Sequence, residues 1–387
     1  MPLASNTLGR LRTPFIAVVL LALSACAGTG RPQPHTRFGA LPFPGVTSLF
    51  HAADAANLGP HRYTDRTLLG DEGERGIIYT ERAGFIDVVH IRLAADWTWY
   101  VHTQLQDARR RPGVTSIAFT YEKSRVNVTV PQDPAHDAAV AAHAACALMT
   151  WHEVATWYGY SMVPLVSEKR SSFTYDDTVS HLLGAQAAYS VITAGTTWET
   201  YDDAMKAELD RVIAAAEPRT PQGTRNACAD ARGGWWLGTN AILRDTATHL
   251  DATPKHPLVL TTTGGAAFSD APITLPPLAE SLPRPWFTIA VPRTLRERVR
   301  TVLGTTTIAG TDALRNLVAD VADDLAARER TIVLHEGEAT APALPIARPD
   351  ALVSTGPLVA QFIAPSRPSP LPLNAATGSQ PTEEVPR

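Results

Sequence analysis

Cysteine is scarce in this chain. There are 3 among 387 residues, Cys26, Cys146 and Cys228, and no two stand in a C-x-x-C pair, which removes the common cysteine-based zinc sites. Positive charge is not in excess either. The 34 Lys and Arg are outnumbered by 38 Asp and Glu for a net charge of -4, and with no basic run this argues against a nucleic-acid partner. No P-loop and no G-x-G-x-x-G occurs, so the usual nucleotide cradles are absent. The lack of a G-x-S-x-G elbow argues against an ordinary α/β-hydrolase. Long apolar runs are also missing, since no stretch after the N-terminus could span a bilayer.

What is present begins at that N-terminus. Arg10 and Arg12 precede an uncharged apolar run from Pro14 to Leu23, which ends in Leu23-Ser24-Ala25-Cys26. The run is short for a membrane span and right for a signal peptide. Small residues ahead of a cysteine resemble a lipobox, which predicts cleavage after residue 25 and lipid on Cys26. Ala27 in place of an aspartate implies transfer to the outer membrane, so the expected location is the cell envelope, facing the periplasm. Residues 26–45 read as a flexible spacer, 46–336 as a globular domain and the Pro- and Ala-rich residues 337–387 as a disordered tail. After processing, Cys146 and Cys228 remain; a disulfide and two buried thiols both fit.

The periodicity predicts an α+β protein, with a helical core and small peripheral β elements. Residues 76–80 suggest a strand, 86–108 a helix stopped by Arg111-Pro112-Gly113, and 115–121 with 125–130 a hairpin. A long Ala-rich helix is expected over 134–158, closing near Gly159. Another should start at Thr174 as N-cap, with Asp176 and Asp177 in its first turn, and run to Thr193. Helices are also expected at 197–217 and 312–328. Residues 218–234 read as loop, with turns at Gly233-Gly234 and Gly264-Gly265. Weaker strand signals lie at 258–262, 286–291 and 331–334. Trp235-Trp236 is read as core.

Three segments gather ionisable groups among apolar ones. Asp87 and His90 are three apart, one helix face if the helix has begun, and can bind a metal together or act as an oriented base. The plainer alternative makes Asp87 a helix cap and His90 a core histidine. His152-Glu153 matches half of H-E-x-x-H, but Thr156 stands where the second histidine is needed, so a zincin is rejected. Asp177 and His181 share a face, downstream of Glu168; helix capping explains Asp176 and Asp177 but not Glu168 or His181.

Together, Gly84-Phe85-Ile86-Asp87 with His90 and Arg92, His152-Glu153-x-Ala155-Thr156-Trp157-Tyr158-Gly159, and Ser167-Glu168 with Ser171-Ser172-Phe173 and Asp177 resemble an uncharacterised family of bacterial lipoproteins, a domain of unknown function. The resemblance covers roughly residues 75–260, and His181 stands where that family has an asparagine. It implies that the three segments travel together, as one site requires. The leading expectation is an envelope hydrolase with a divalent ion (zinc, iron or manganese). His90, His152, Glu168 and Asp177 would be its ligands, with Glu153, Asp87 and Arg92 as catalytic groups. The substrate would be a lipid, a peptide or a cell-wall fragment. The rival is a non-catalytic lipoprotein that binds a protein or cell-wall partner and uses the same residues as a buried network.

Overall fold

Gly84 makes the first corner. It lies at φ 67, and a Cβ there would meet the Leu258 carbonyl oxygen at 2.0 Å, so the turn takes only glycine. The computed structural model describes residues 31–34, 51–63, 74–161, 167–169, 171–231, 236–237, 241–242, 244–246, 250–261 and 266–336. In chain order, β1 (Ile77–Thr80) and β2 (Gly84–Asp87) lead into α1 (Val88–Arg109), and β3 (Ser116–Tyr121) and β4 (Ser124–Thr129) into α2 (Asp137–Trp157). Helices α3 (Asp177–Thr193), α4 (Tyr201–Ala215) and α5 (Pro221–Ala231) follow. Then come the short strands β5 (Trp236–Leu237), β6 (Ala241–Ile242), β7 (Leu258–Leu260) and β8 (Ala266–Phe268). Strand β9 (Phe287–Ala290), α6 (Arg296–Leu303), β10 (Thr307–Ala309) and α7 (Gly310–Glu336) complete the described chain. This is the expected α+β class.

Helices α1, α2 and α3 pack mutually and form the core. Alanine is what lets them approach, since eight alanines between Ala138 and Ala155 on α2 are buried. At Gly184 on α3 a Cβ would stand 2.0 Å from the Ile91 carbonyl oxygen of α1. The four-stranded antiparallel sheet, ordered β10-β9-β4-β3, lies at the edge of this core. Its β3 alternates exposed and buried residues, and Phe119 and Tyr121 pack on Trp97 of α1 at ring distances of 5.8 and 4.9 Å. Strands β1 and β2, β5 and β6, and β7 and β8 pair as separate antiparallel ribbons.

Several expectations need correction. The helix read from Ile86 starts at Val88, because Ile86 pairs with Ile78 across β1 and β2. Thr174 is not the N-cap of α3. That position is Asp176, while the Thr174 N–H donates to Asp177 Oδ2 at 2.7 Å. Most of the stretch 218–234 is not loop, since Pro221 opens α5, as proline can at a first helical position. Thr224, Ala227, Cys228 and Ala231 give that helix its buried face. Residues 331–334 continue α7 instead of forming a strand: extending an existing helix adds a hydrogen bond per residue without a new nucleus, and outweighs the preference of a short Thr-Ile-Val run.

Cys146 and Cys228 are both buried free thiols. A soluble form begun at Ala27 is therefore expected to show two thiols per chain when denatured without reductant, counted with a chromogenic disulfide. Within the stretch read as spacer, residues 31–34 pack on the domain: Tyr63 Oη donates to the Pro32 carbonyl at 2.8 Å, and Pro34 is buried. Cys26, the signal peptide, the tail 337–387, Trp235 and the turns at 233–234 and 264–265 lie outside the described residues. No described helix is long and apolar enough to cross a membrane.

Candidate metal centre

Two helix N-termini meet beside α2. Asp87 ends β2 and caps α1, its Oδ1 accepting from the Val89 N–H at 2.7 Å. Asp176 and Asp177 open α3. Free N–H groups and the helix dipole make both ends favourable places for carboxylates. Ser180 ties the ends together: it accepts from the Asp87 N–H at 2.9 Å and donates to the Asp176 carbonyl at 2.6 Å. One ligand atom each from Asp87, His90 and Asp176 lies within 4.8 Å of the other two, a spacing compatible with a shared ion. Among the described residues it is the only such group of three.

The charges do not balance locally. Asp87 and Asp176 are fully buried and Asp177 nearly so. Neither carboxylate oxygen of Asp176 makes a hydrogen bond of good geometry. Burial, then the carboxylates of Asp177 and Asp87, hold the Asp176 carboxyl well above the usual range against the opposing pull of His90 and the Thr174 side chain. A buried carboxylate in that position must keep a proton or gain a cation. His90 Nδ1 lies 3.0 Å from Asp177 Oδ1, an ion pair outside hydrogen-bond angles. Burial would lower the His90 pKa, but Asp87, Asp177 and Glu153 outweigh it and lift it to about 10.

A second layer surrounds this group. The Phe173 N–H donates to Glu153 Oε2 at 2.8 Å, with Phe173 at φ 55. Burial, helped by Asp177, raises the Glu153 carboxyl to about 8 against the opposing pull of His152 and His90. His181 packs on His90 at a ring distance of 5.0 Å, and burial, with His90 and His152 nearby, keeps it neutral well below its usual pKa. His152 Nδ1 pairs with Glu122 Oε1. Burial lowers the His152 pKa, yet Glu122 and Glu153 carry it to about 9. Replacing Glu122 by Gln removes the larger opposing charge, so the His152 pKa is expected to fall by at least one unit, read from its ring-proton shifts in an NMR pH titration.

Asp87, His90, His152, Glu153 and Asp177 thus share one electrostatic cluster. Within it Asp177 is the partner of His90, and Asp176 takes the third place in the ligand group. Glu168 accepts from Ser161 Oγ at 3.0 Å and, with Glu122, adds to the effect of burial in raising the Tyr160 pKa. Arg92 is fully buried and donates to the Pro60 and Gly59 carbonyls at 2.6 and 2.8 Å, the geometry of an anchor for the segment before β1. Sequence reasoning missed Asp176, which capping explains adequately, and Glu122. The signal for Glu122 was its turn: Glu122 and Lys123 lie at φ 46 and 61, where a two-residue hairpin turn prefers Asn-Gly.

No curated protein and no solved structure matches the chain. A family model described as "Protein of unknown function (DUF4056)" matches residues 21–245, more than half of the chain. The matched range contains every member of the His and carboxylate cluster, and the chain belongs to the DUF4056 family.

Proposed function

We propose that this is an envelope lipoprotein, held on a membrane through Cys26, whose Asp87–His90–Asp176 centre binds one divalent ion and serves hydrolysis. The observation that carries the reading is the Asp176 carboxylate, buried beside two ligand-type groups with neither oxygen well bonded. One imidazole and two carboxylates suit zinc, iron or manganese. When bound, such an ion polarises a carbonyl or phosphoryl group and makes water more acidic.

The chain's own groups then have distinct tasks. Asp177, fixed by the Thr174 N–H, orients the His90 ring, as partners of metal-bound histidines do. Glu153, held by the Phe173 N–H and with its carboxyl raised to about 8, is suited to exchanging a proton near neutral pH. His152 and His90 are the more exposed members, with 20% and 16% of their side chains open, so substrate would approach past these two rings. The test uses chelator-treated protein with zinc, iron or manganese restored, assayed on model esters, peptide amides and cell-wall fragments. Turnover that returns with metal and drops at least a hundredfold in Glu153→Gln supports the reading.

Complete burial of Asp87 and Asp176 favours a second reading, in which the ion only ties α1 to α3 and the protein binds a protein or cell-wall partner. Stoichiometric metal with no turnover on any of these substrates selects it.

A further inference from the structure

A cavity of about 240 Å³ lies at the C-terminal part of α1, lined by Arg31, Trp99, His102, Arg110, Trp198 and Glu199 among others. His102 is twelve residues beyond His90, about 18 Å along the helix, so this is not part of the metal centre. The N-terminal segment contributes Arg31 to its lining. The Arg31 guanidinium lies 4.6 Å from the centre of the Trp198 ring, Gln33 Nε2 donates to Tyr100 Oη at 3.5 Å, and Tyr63 Oη holds the Pro32 carbonyl.

These contacts restrict how an anchored domain can stand. Only residues 27–30 separate Cys26 from Arg31, a reach of at most about 18 Å. A domain of this size is about 50 Å across, so the face bearing Arg31 cannot turn away from the anchor. That face carries features suited to a lipid surface. Trp198 is half-buried at the cavity rim, where an amphipathic ring fits the headgroup level. Arg110 is 74% open while pairing with Asp107 at 3.1 Å, and it shares the cavity lining with Arg31, so two guanidinium groups are placed to meet a headgroup phosphate.

We propose that the face formed by Arg31, Trp198 and Arg110 is the surface that the domain lays on the bilayer, with its cavity open to a phospholipid headgroup. The proposal rests on lipidation at Cys26, so the experiment reads both. The processed full-length protein is placed in nanodiscs of phosphatidylethanolamine and phosphatidylglycerol, and the mass of its N-terminal peptide is measured. Tryptophan quenching by lipids brominated near the headgroup is then compared between wild type and Trp198→Phe, with folding checked by circular dichroism. An acylated Cys26 peptide is expected, with quenching that falls at least twofold in Trp198→Phe. An unmodified Cys26 overturns both the anchor and the proposal. An acylated Cys26 with equal quenching in the two proteins, or with none, overturns the proposal and leaves the anchor standing.

Discussion

Gly184→Ala is expected to destabilise the protein by about 3 kcal/mol, at the upper end of overpacking costs, although it adds a single methyl. The new Cβ would lie 2.0 Å from the Ile91 carbonyl oxygen, 2.8 Å from the Ile91 carbonyl carbon and 3.0 Å from the Ala94 Cβ. Two of those atoms are helix backbone, so no side-chain rotation relieves the clash. Helices α1 and α3 must separate. For a domain of this size the thermal midpoint should fall by roughly 6–12 °C. The same separation pulls His90 from Asp177 and Asp87 from Asp176, since each pair bridges these two helix starts. Metal affinity should therefore drop at least tenfold although no ligand has changed. Gly195→Ala is the control: it lies at φ 82 with nothing within 4 Å of a new Cβ, so it should cost about 1 kcal/mol and leave the metal centre intact. Scanning calorimetry of the apo forms, followed by metal titration, checks both expectations.

Asp176→Asn should separate stability from metal binding. In the metal-free protein it removes a fully buried carboxyl that lacks well-made hydrogen bonds and whose ionisation is opposed by burial and by Asp177 and Asp87. The apo form should keep its stability or gain about 1 kcal/mol, as when strained functional positions are relaxed. Saturating zinc or manganese at about a hundred times the dissociation constant should stabilise wild type by about 2.7 kcal/mol. In the variant that gain should shrink below 0.5 kcal/mol, because an amide is a poor replacement for a charged ligand. A residue with a purely structural role would show the opposite pattern, with loss in the apo form and an unchanged response to metal. Thermal unfolding with and without ion reads both halves.

Helices α1 to α4 and α7 were legible from apolar spacing or alanine content together with their start and stop signals, whereas α5 and α6 were not. The hairpin was legible because β3 alternates. What was not legible follows from tertiary competition. Ile86 and Asp87 look like the start of a helix by spacing, but the pairing of Ile86 with Ile78 and of Asp87 with Ile77 makes them the end of a strand, and no local signal specifies that partner. Pro221 marks a helix start as readily as a loop, and only the buried face of α5 decides. At the site, Asp87 and His90 were found from their spacing. Asp176 was hidden by a sufficient explanation, since acidic residues belong in a first helical turn whether or not they bind anything. Glu122 reaches His152 from a hairpin thirty residues earlier in the chain, a contact set by the sheet's seat on α2.

Calorimetric titration of the apo protein with zinc and with manganese at several pH values decides whether the Asp87–His90–Asp176 group holds an ion. Binding must displace protons, because His90 is raised to about 10 and the Asp176 carboxyl stands well above its usual range. One ion per chain is expected, with affinity that tightens about tenfold per pH unit for each proton displaced between pH 6 and 8. Binding should be lost in both His90→Ala and Asp176→Asn. No saturable binding of either ion, or binding that ignores pH and survives both substitutions, would contradict a metal centre there.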